Sequence, residues 1–144
     1  MNPVFIIDTN VVVAGLLTSH ADSPVARILD GMLRSHFRFA MSEALLAEYR
    51  CVLLRPKLLK LHRLSELEID AILTDLARHA IVLSEQLQPN APAAPDPGDQ
   101  FLWDVLSSRA DLMLVTGDKL LLLQAGPLQP SVVTPQDFVA QWMD

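Results

Sequence analysis

Short, unbroken apolar runs recur along this chain, separated by amphipathic stretches of helical length. Val4–Ile7 reads Val-Phe-Ile-Ile and stops at Asp8, and Leu112–Val115 reads Leu-Met-Leu-Val and gives way to Thr116-Gly117-Asp118. Strands without apolar–polar alternation are those covered on both faces, the condition of a parallel sheet between helices. Further strands are expected at 37–41, 81–83 and 131–133. Helices are expected over 24–34, where Ser23 caps and Pro24 takes the first position, and from Ser42 to about Leu54, where Pro56 halts the run. A capping box, Ser65-Glu66-Leu67-Glu68, opens another helix, with Ile69, Ile72, Leu73 and Leu76 on one face. Two more are expected over 98–109 and 135–142. Gly15 and residues 18–23 read as a connection, and the four prolines within 89–97 read as a loop too short to link domains. The alternation predicts an α/β fold, a parallel sheet with helices on both faces. With 144 residues and no internal repeat, a single domain spanning 1–144 is expected.

Composition narrows the class. Hydrophobic residues make up 51% and charged residues only 19%, so the chain has a core to bury and is not disordered. Its one cysteine, Cys51, excludes an internal disulfide and the spaced Cys/His zinc patterns. The N-terminus lacks the basic start of a secretory signal and no apolar stretch is long enough to span a bilayer, so a cytoplasmic protein without membrane attachment is expected. The net charge of −6 is unevenly spread: residues 1–63 carry a net +3 and residues 64–144 a net −9. Between Arg50 and Arg63 every charged residue is basic. Arg50, Arg55, Lys57 and Lys60 are therefore candidates for holding a phosphate backbone, although a solvated helix end and loop is, for the run taken alone, the simpler explanation.

The chemistry resides in the carboxylates. Ligands of open parallel sheets gather outside the carboxyl ends of the strands. Asp8 follows the first strand directly and Asp118 follows the fourth by two residues, so both are expected at the same sheet edge. Each also suits an Asx-turn or a helix cap. Glu48 falls in the apolar stripe of its helix with Leu45, Tyr49 and Val52, a costly place for an ionised group without a partner. Asp99 stands at a helix start within Asp96-Pro97-Gly98-Asp99, where it serves either as cap or as site acid, and Asp104 lies inside the same helix. Four carboxylates without a Cys/His set favour hard divalent cations, Mg²⁺ or Mn²⁺, which suit hydrolysis of phosphodiesters.

Several segments together resemble the PIN-domain nucleases, specifically the PIN-family toxin components of prokaryotic toxin–antitoxin systems. They are Phe5-Ile6-Ile7-Asp8-Thr9-Asn10-Val11, the stretch from Ser42 through Glu48-Tyr49 to Arg55-Pro56-Lys57, Asp96-Pro97-Gly98-Asp99, Val115-Thr116-Gly117-Asp118-Lys119, and Thr134-Pro135-Gln136-Asp137-Phe138. The resemblance implies a three-layer α/β/α fold with a central parallel sheet, and Mg²⁺- or Mn²⁺-dependent cleavage of single-stranded RNA. It further implies metal-site acids at Asp8, Glu48, Asp99 and Asp118, supported by Asn10 and Thr116, together with a cognate antitoxin and homodimerisation. Two accessory acids common in that branch are replaced here by Gly98 and Leu120.

Other classes fit less well. A non-catalytic RNA- or protein-interaction module is compatible with the acidic C-terminal half. A phosphotransfer receiver needs paired acids after the first strand, where this chain has Thr9 and Asn10, and a nucleotide-binding fold needs a Gly-rich phosphate loop, which is missing.

Overall fold

The computed structural model describes residues 3–84 and 91–143; residues 1–2, 85–90 (with the opening of the proline-rich loop) and 144 lie outside the described residues. Five strands, β1 (Val4–Ile7), β2 (Phe39–Met41), β3 (Ile81–Val82), β4 (Leu112–Val115) and β5 (Val132–Val133), form one sheet in the order β3-β2-β1-β4-β5. Every pairing is parallel. The central strand β1 is buried along its whole length, which explains why its sequence carries no alternation.

Among the described residues eight α-helices flank the sheet: α1 (Thr9–Leu17), α2 (Pro24–Leu33), α3 (Glu43–Leu53), α4 (Pro56–His62), α5 (Glu66–His79), α6 (Gln100–Ser108), α7 (Lys119–Leu123) and α8 (Pro135–Phe138), the last running on into a π-turn over Val139–Met143. Successive residues of β1 serve the two faces. Phe5 makes edge-on ring contacts with Phe138 and Trp142 at 4.6 and 5.1 Å. Its neighbour Ile6 instead borders Phe101, Leu102 and Val105, beside α6. The result is an α/β domain with a parallel central sheet between helices, as the strand pattern predicts. Among the described residues no helix is long and apolar enough to cross a membrane.

Local signals hold in several places. Ser23 accepts from the Ala26 N–H at 3.3 Å, Ser42 from Leu45 at 3.2 Å, and both bonds of the Ser65–Glu68 capping box form. The expected helix over 98–109 instead opens as a 3-10 turn, Pro97–Asp99, before α6 begins.

Three helices depart from the sequence expectation. α1 occupies a stretch for which the sequence pattern predicts no element. Its Val11, Val12 and Val13 are β-branched and cost the helix a few tenths of a kcal/mol each. Burial of Val11 and Val12, and the cap that Asp8 provides, override this preference. Gly15 permits a close approach of α1 to α2: a Cβ there would lie 2.8 Å from the Val25 carbonyl oxygen. α4 shows that Pro56, beyond the end of α3, also opens a new helix as its first residue, so the basic segment is helical rather than loop. α7 is one turn of helix, capped by Asp118.

Candidate active site

In the strand order β3-β2-β1-β4-β5 the chain moves outward from β1 in one direction and from β4 in the other. The crevice at that reversal, at the carboxyl ends of β1 and β4, is where open α/β sheets bind ligands. Ile7 pairs with Val115, so the next residues, Asp8 and Thr116, emerge side by side.

Asp8 is only 6% exposed. Its carboxylate accepts from the Thr9 N–H at 2.8 Å and from the Thr116 hydroxyl at 2.7 Å. Burial raises its pKa above the ordinary carboxylate value, with the charges of Glu48 and Asp118 adding to the effect, against the lowering by the Thr116 and Thr9 bonds. The fully buried Thr116 hydroxyl in turn accepts from the Asp118 N–H at 3.0 Å, so one side chain sets both acids. Asn10 ties α1 to the same turn by accepting from the Gly117 N–H at 3.3 Å.

Glu48 reaches this corner from α3. The Thr9 hydroxyl donates to its Oε2, and the adjoining Tyr49, wholly buried, donates its phenol to the Ile7 carbonyl. Two consecutive residues of α3 are thus tied to the β1–α1 turn, which explains a glutamate in an apolar stripe. Burial holds the Tyr49 pKa well above 10, and the Asp8 and Glu48 charges push the same way, so the phenol remains a donor.

Asp99 arrives on the 3-10 turn. The cap role goes to Asp96, whose carboxylate accepts from the Gly98 N–H at 2.9 Å, while Asp99 makes no side-chain cap bond. Its carboxyl is left to the cleft and is pushed up to about 6, first by desolvation and then by the charges of Asp8, Asp96, Glu48 and Asp118. Asp118 has both roles that its position allowed: it caps α7 by accepting from the Leu120 N–H at 2.9 Å and it borders the cleft.

These four acids, from four separate segments, line one open cleft of about 420 Å³. Thr9, Asn10 and Arg55 also line it, together with the aliphatic side chains of Val13, Ala14, Leu17 and Val52. Asp104 is not part of the lining and accepts from Gln100 at 3.2 Å. The basic run divides. Arg50 bonds to Glu66 at 2.5 Å and Asp70 at 2.8 Å on α5, so it is committed to helix packing, a pairing across 16 and 20 residues that local reading does not reveal. Lys57 and Lys60 are exposed on α4 and do not line the cleft. Sequence reasoning missed Thr9 as the partner of Glu48 and Tyr49 as the tether. Their adjacency to Asp8 and Glu48 is the only signal that the sequence offers for them.

The donor set is all oxygen and suits a hard cation. A divalent ion would also relieve the mutual repulsion recorded in the raised Asp8 and Asp99 values. Among the described residues no three acidic, His or Cys side chains converge into a ready metal cage. That spacing is compatible with Mg²⁺, which keeps several waters and binds through one or two carboxylates.

The family model of the PIN domain matches residues 4–120, a span that holds all four acids and ends at the start of α7. The chain belongs to the PIN-domain family. PIN domains are generally nucleases, hydrolases that typically use divalent metals. No curated protein and no solved structure matches the chain. In this PIN domain β5, α8 and the closing π-turn lie beyond the matched span, yet Phe138 and Trp142 pack directly on Phe5 of the central strand.

Proposed function

We propose that this PIN domain is a metal-dependent endoribonuclease that hydrolyses phosphodiesters of single-stranded RNA. The observation that carries the reading is the meeting of Asp8, Glu48, Asp99 and Asp118 in one open cleft at the sheet's reversal point. Held by these carboxylates, Mg²⁺ or Mn²⁺ would supply an activated water and offset the charge of the phosphate. Asp8, Asp99 and Asp118 offer the anchoring oxygens. Glu48, oriented by the Thr9 hydroxyl, is placed to hold or orient a water. Thr116 fixes Asp8 and the Asp118 backbone relative to each other, and Asn10 braces the turn between them. Lys57 and Lys60, exposed on α4, draw in the polyanion.

The motif pattern supports a narrower proposal: a cytoplasmic toxin component, held by a cognate antitoxin and able to form a homodimer. A second reading, a non-catalytic interaction module, is favoured by the open spacing of the acids.

The test is purified protein on labelled single-stranded RNA with Mg²⁺, with Mn²⁺ and with EDTA, beside Asp8→Asn and Asp118→Asn. Cleavage that needs metal and disappears in both variants supports the nuclease. Absence of cleavage together with absence of metal binding by calorimetry supports the interaction module.

A further inference from the structure

Most of the basic side chains near α3 and α5 are either ion-paired or away from the cleft; Arg38 and Arg63, like Arg55, form no ion pair with a described residue, but of these three Arg55 alone lines the cleft. Arg34 pairs with Asp30, Arg50 with Glu66 and Asp70, Arg78 with Asp75, and Arg109 with Asp111. Arg55 lines a cleft that holds four carboxylates, yet its side chain forms no ion pair or hydrogen bond with any described residue. A guanidinium whose purpose was to neutralise those acids would be bonded to one of them. Its root, in contrast, is well fixed. Pro56 holds Arg55 in extended backbone, φ −60° and ψ 137°. Its N–H donates to the Val52 carbonyl at 3.1 Å, and its carbonyl accepts from Leu58 and Leu59 at 2.9 Å. The corner between α3 and α4 thus brings an exposed arginine with an unspent planar donor fork into the lining of the acid cleft. That fork matches two oxygens of a phosphate, which a lysine does not do.

We infer that Arg55 is the phosphate anchor of this cleft, holding a phosphodiester of single-stranded nucleic acid within reach of the four acids. The inference rests on the nuclease reading for the identity of the ligand. Because it concerns binding, it is testable apart from cleavage. The aliphatic side chains of Val13, Ala14, Leu17 and Val52 in the same lining offer contact to sugar and base without hydrogen-bond readout, so anchoring by Arg55 is tolerant of sequence.

The probe is a short, fluorescein-labelled, cleavage-resistant phosphorothioate oligoribonucleotide, titrated by anisotropy over a range of salt with Mg²⁺ present. Wild type is compared with Arg55→Gln, Arg55→Lys and, as an equal change of charge elsewhere, Arg78→Gln. Arg55→Gln is expected to weaken binding about tenfold. It is also expected to lower the slope of log affinity against log salt by about 0.7, the loss of one phosphate contact on a single strand. Arg55→Lys should recover the slope and only part of the affinity, and Arg78→Gln should match wild type. Equal affinity and slope for wild type and Arg55→Gln overturn the inference, as does undetectable binding by wild type. If Arg55-dependent binding occurs without cleavage under any metal, the anchor stands and the nuclease reading falls. If cleavage is lost in Asp8→Asn while Arg55→Gln binds as wild type does, the nuclease reading stands and the anchor falls.

Discussion

Replacing Asp8 with Asn is expected to separate the fold of this PIN domain from the metal binding proposed for it. The carboxylate sits among like charges and largely out of water, and its raised pKa shows that the folded protein holds its charge at a cost. Asparagine has no charge to desolvate, and its carbonyl can still accept from the Thr9 N–H. Its amide, however, faces the Thr116 hydroxyl, which already accepts from the Asp118 N–H, so one charge-assisted bond is lost. The repulsion relieved and the bond lost act in opposite directions. The metal-free variant is therefore expected to melt close to wild type. The difference appears with metal. A ligand at a hundred times its dissociation constant adds about 2.7 kcal/mol to stability. For 144 residues the unfolding entropy near the midpoint is about 0.3 kcal/mol/K, which turns that gain into a Tm rise of about 9 °C. Differential scanning calorimetry in EDTA and in saturating Mn²⁺ checks both halves. Wild type should gain several degrees and Asp8→Asn should gain almost none. An equal metal-induced rise in the two proteins would refute Asp8 as a metal anchor; a variant already unfolded in EDTA would refute the view that its charge is a burden to the fold.

Two further outcomes follow from the same corner. Tyr49→Phe removes a fully buried donor and leaves the Ile7 carbonyl without that bond, which costs about 1–2 kcal/mol, or a Tm lower by roughly 5 °C in the thermal melt; an unchanged melt would mean that the tether contributes nothing. Asp99, held at about 6 against 3.8 in the unfolded chain, keeps a proton that unfolding releases. Its stabilising contribution is therefore complete below about pH 4 and is lost as the pH rises through 6. In EDTA, the stability of wild type relative to Asp99→Asn should fall across that window by on the order of 1 kcal/mol, once the full two-unit value is discounted for solvent access. Denaturant titrations at a series of pH values measure it, and a flat difference profile would contradict the assignment.

The strands and the acids at their ends could be read from the sequence because burial on both faces leaves a local trace: an apolar run interrupted by a carboxylate. Asp8 and Asp118 show that the alternatives weighed for such residues are not exclusive, since each caps a helix and borders the cleft at once. α1 was not legible because three successive valines carry no helical period and only tertiary burial makes them helical. The fate of the basic run was equally hidden. Arg50 and Arg55 look alike in sequence, and only the arrival of α5 beside α3 separates the arginine that packs helices from the one that faces the cleft. Glu48 was conspicuous as a misfit, whereas Thr9, which makes that misfit tolerable, looks unremarkable next to Asp8.

The outer strands have a consequence for how this domain meets other proteins. β3 and β5 are two residues long, and Pro130 and Pro135, which cannot donate from their backbones, stand close on either side of β5. Among the described residues an incoming strand would find almost no run of free backbone groups along β3 or β5. Borders this short guard the domain against polymerising edge to edge. Among the described residues, the surface open to a specific partner is therefore made of helices and turns, where side chains rather than a strand edge would be read.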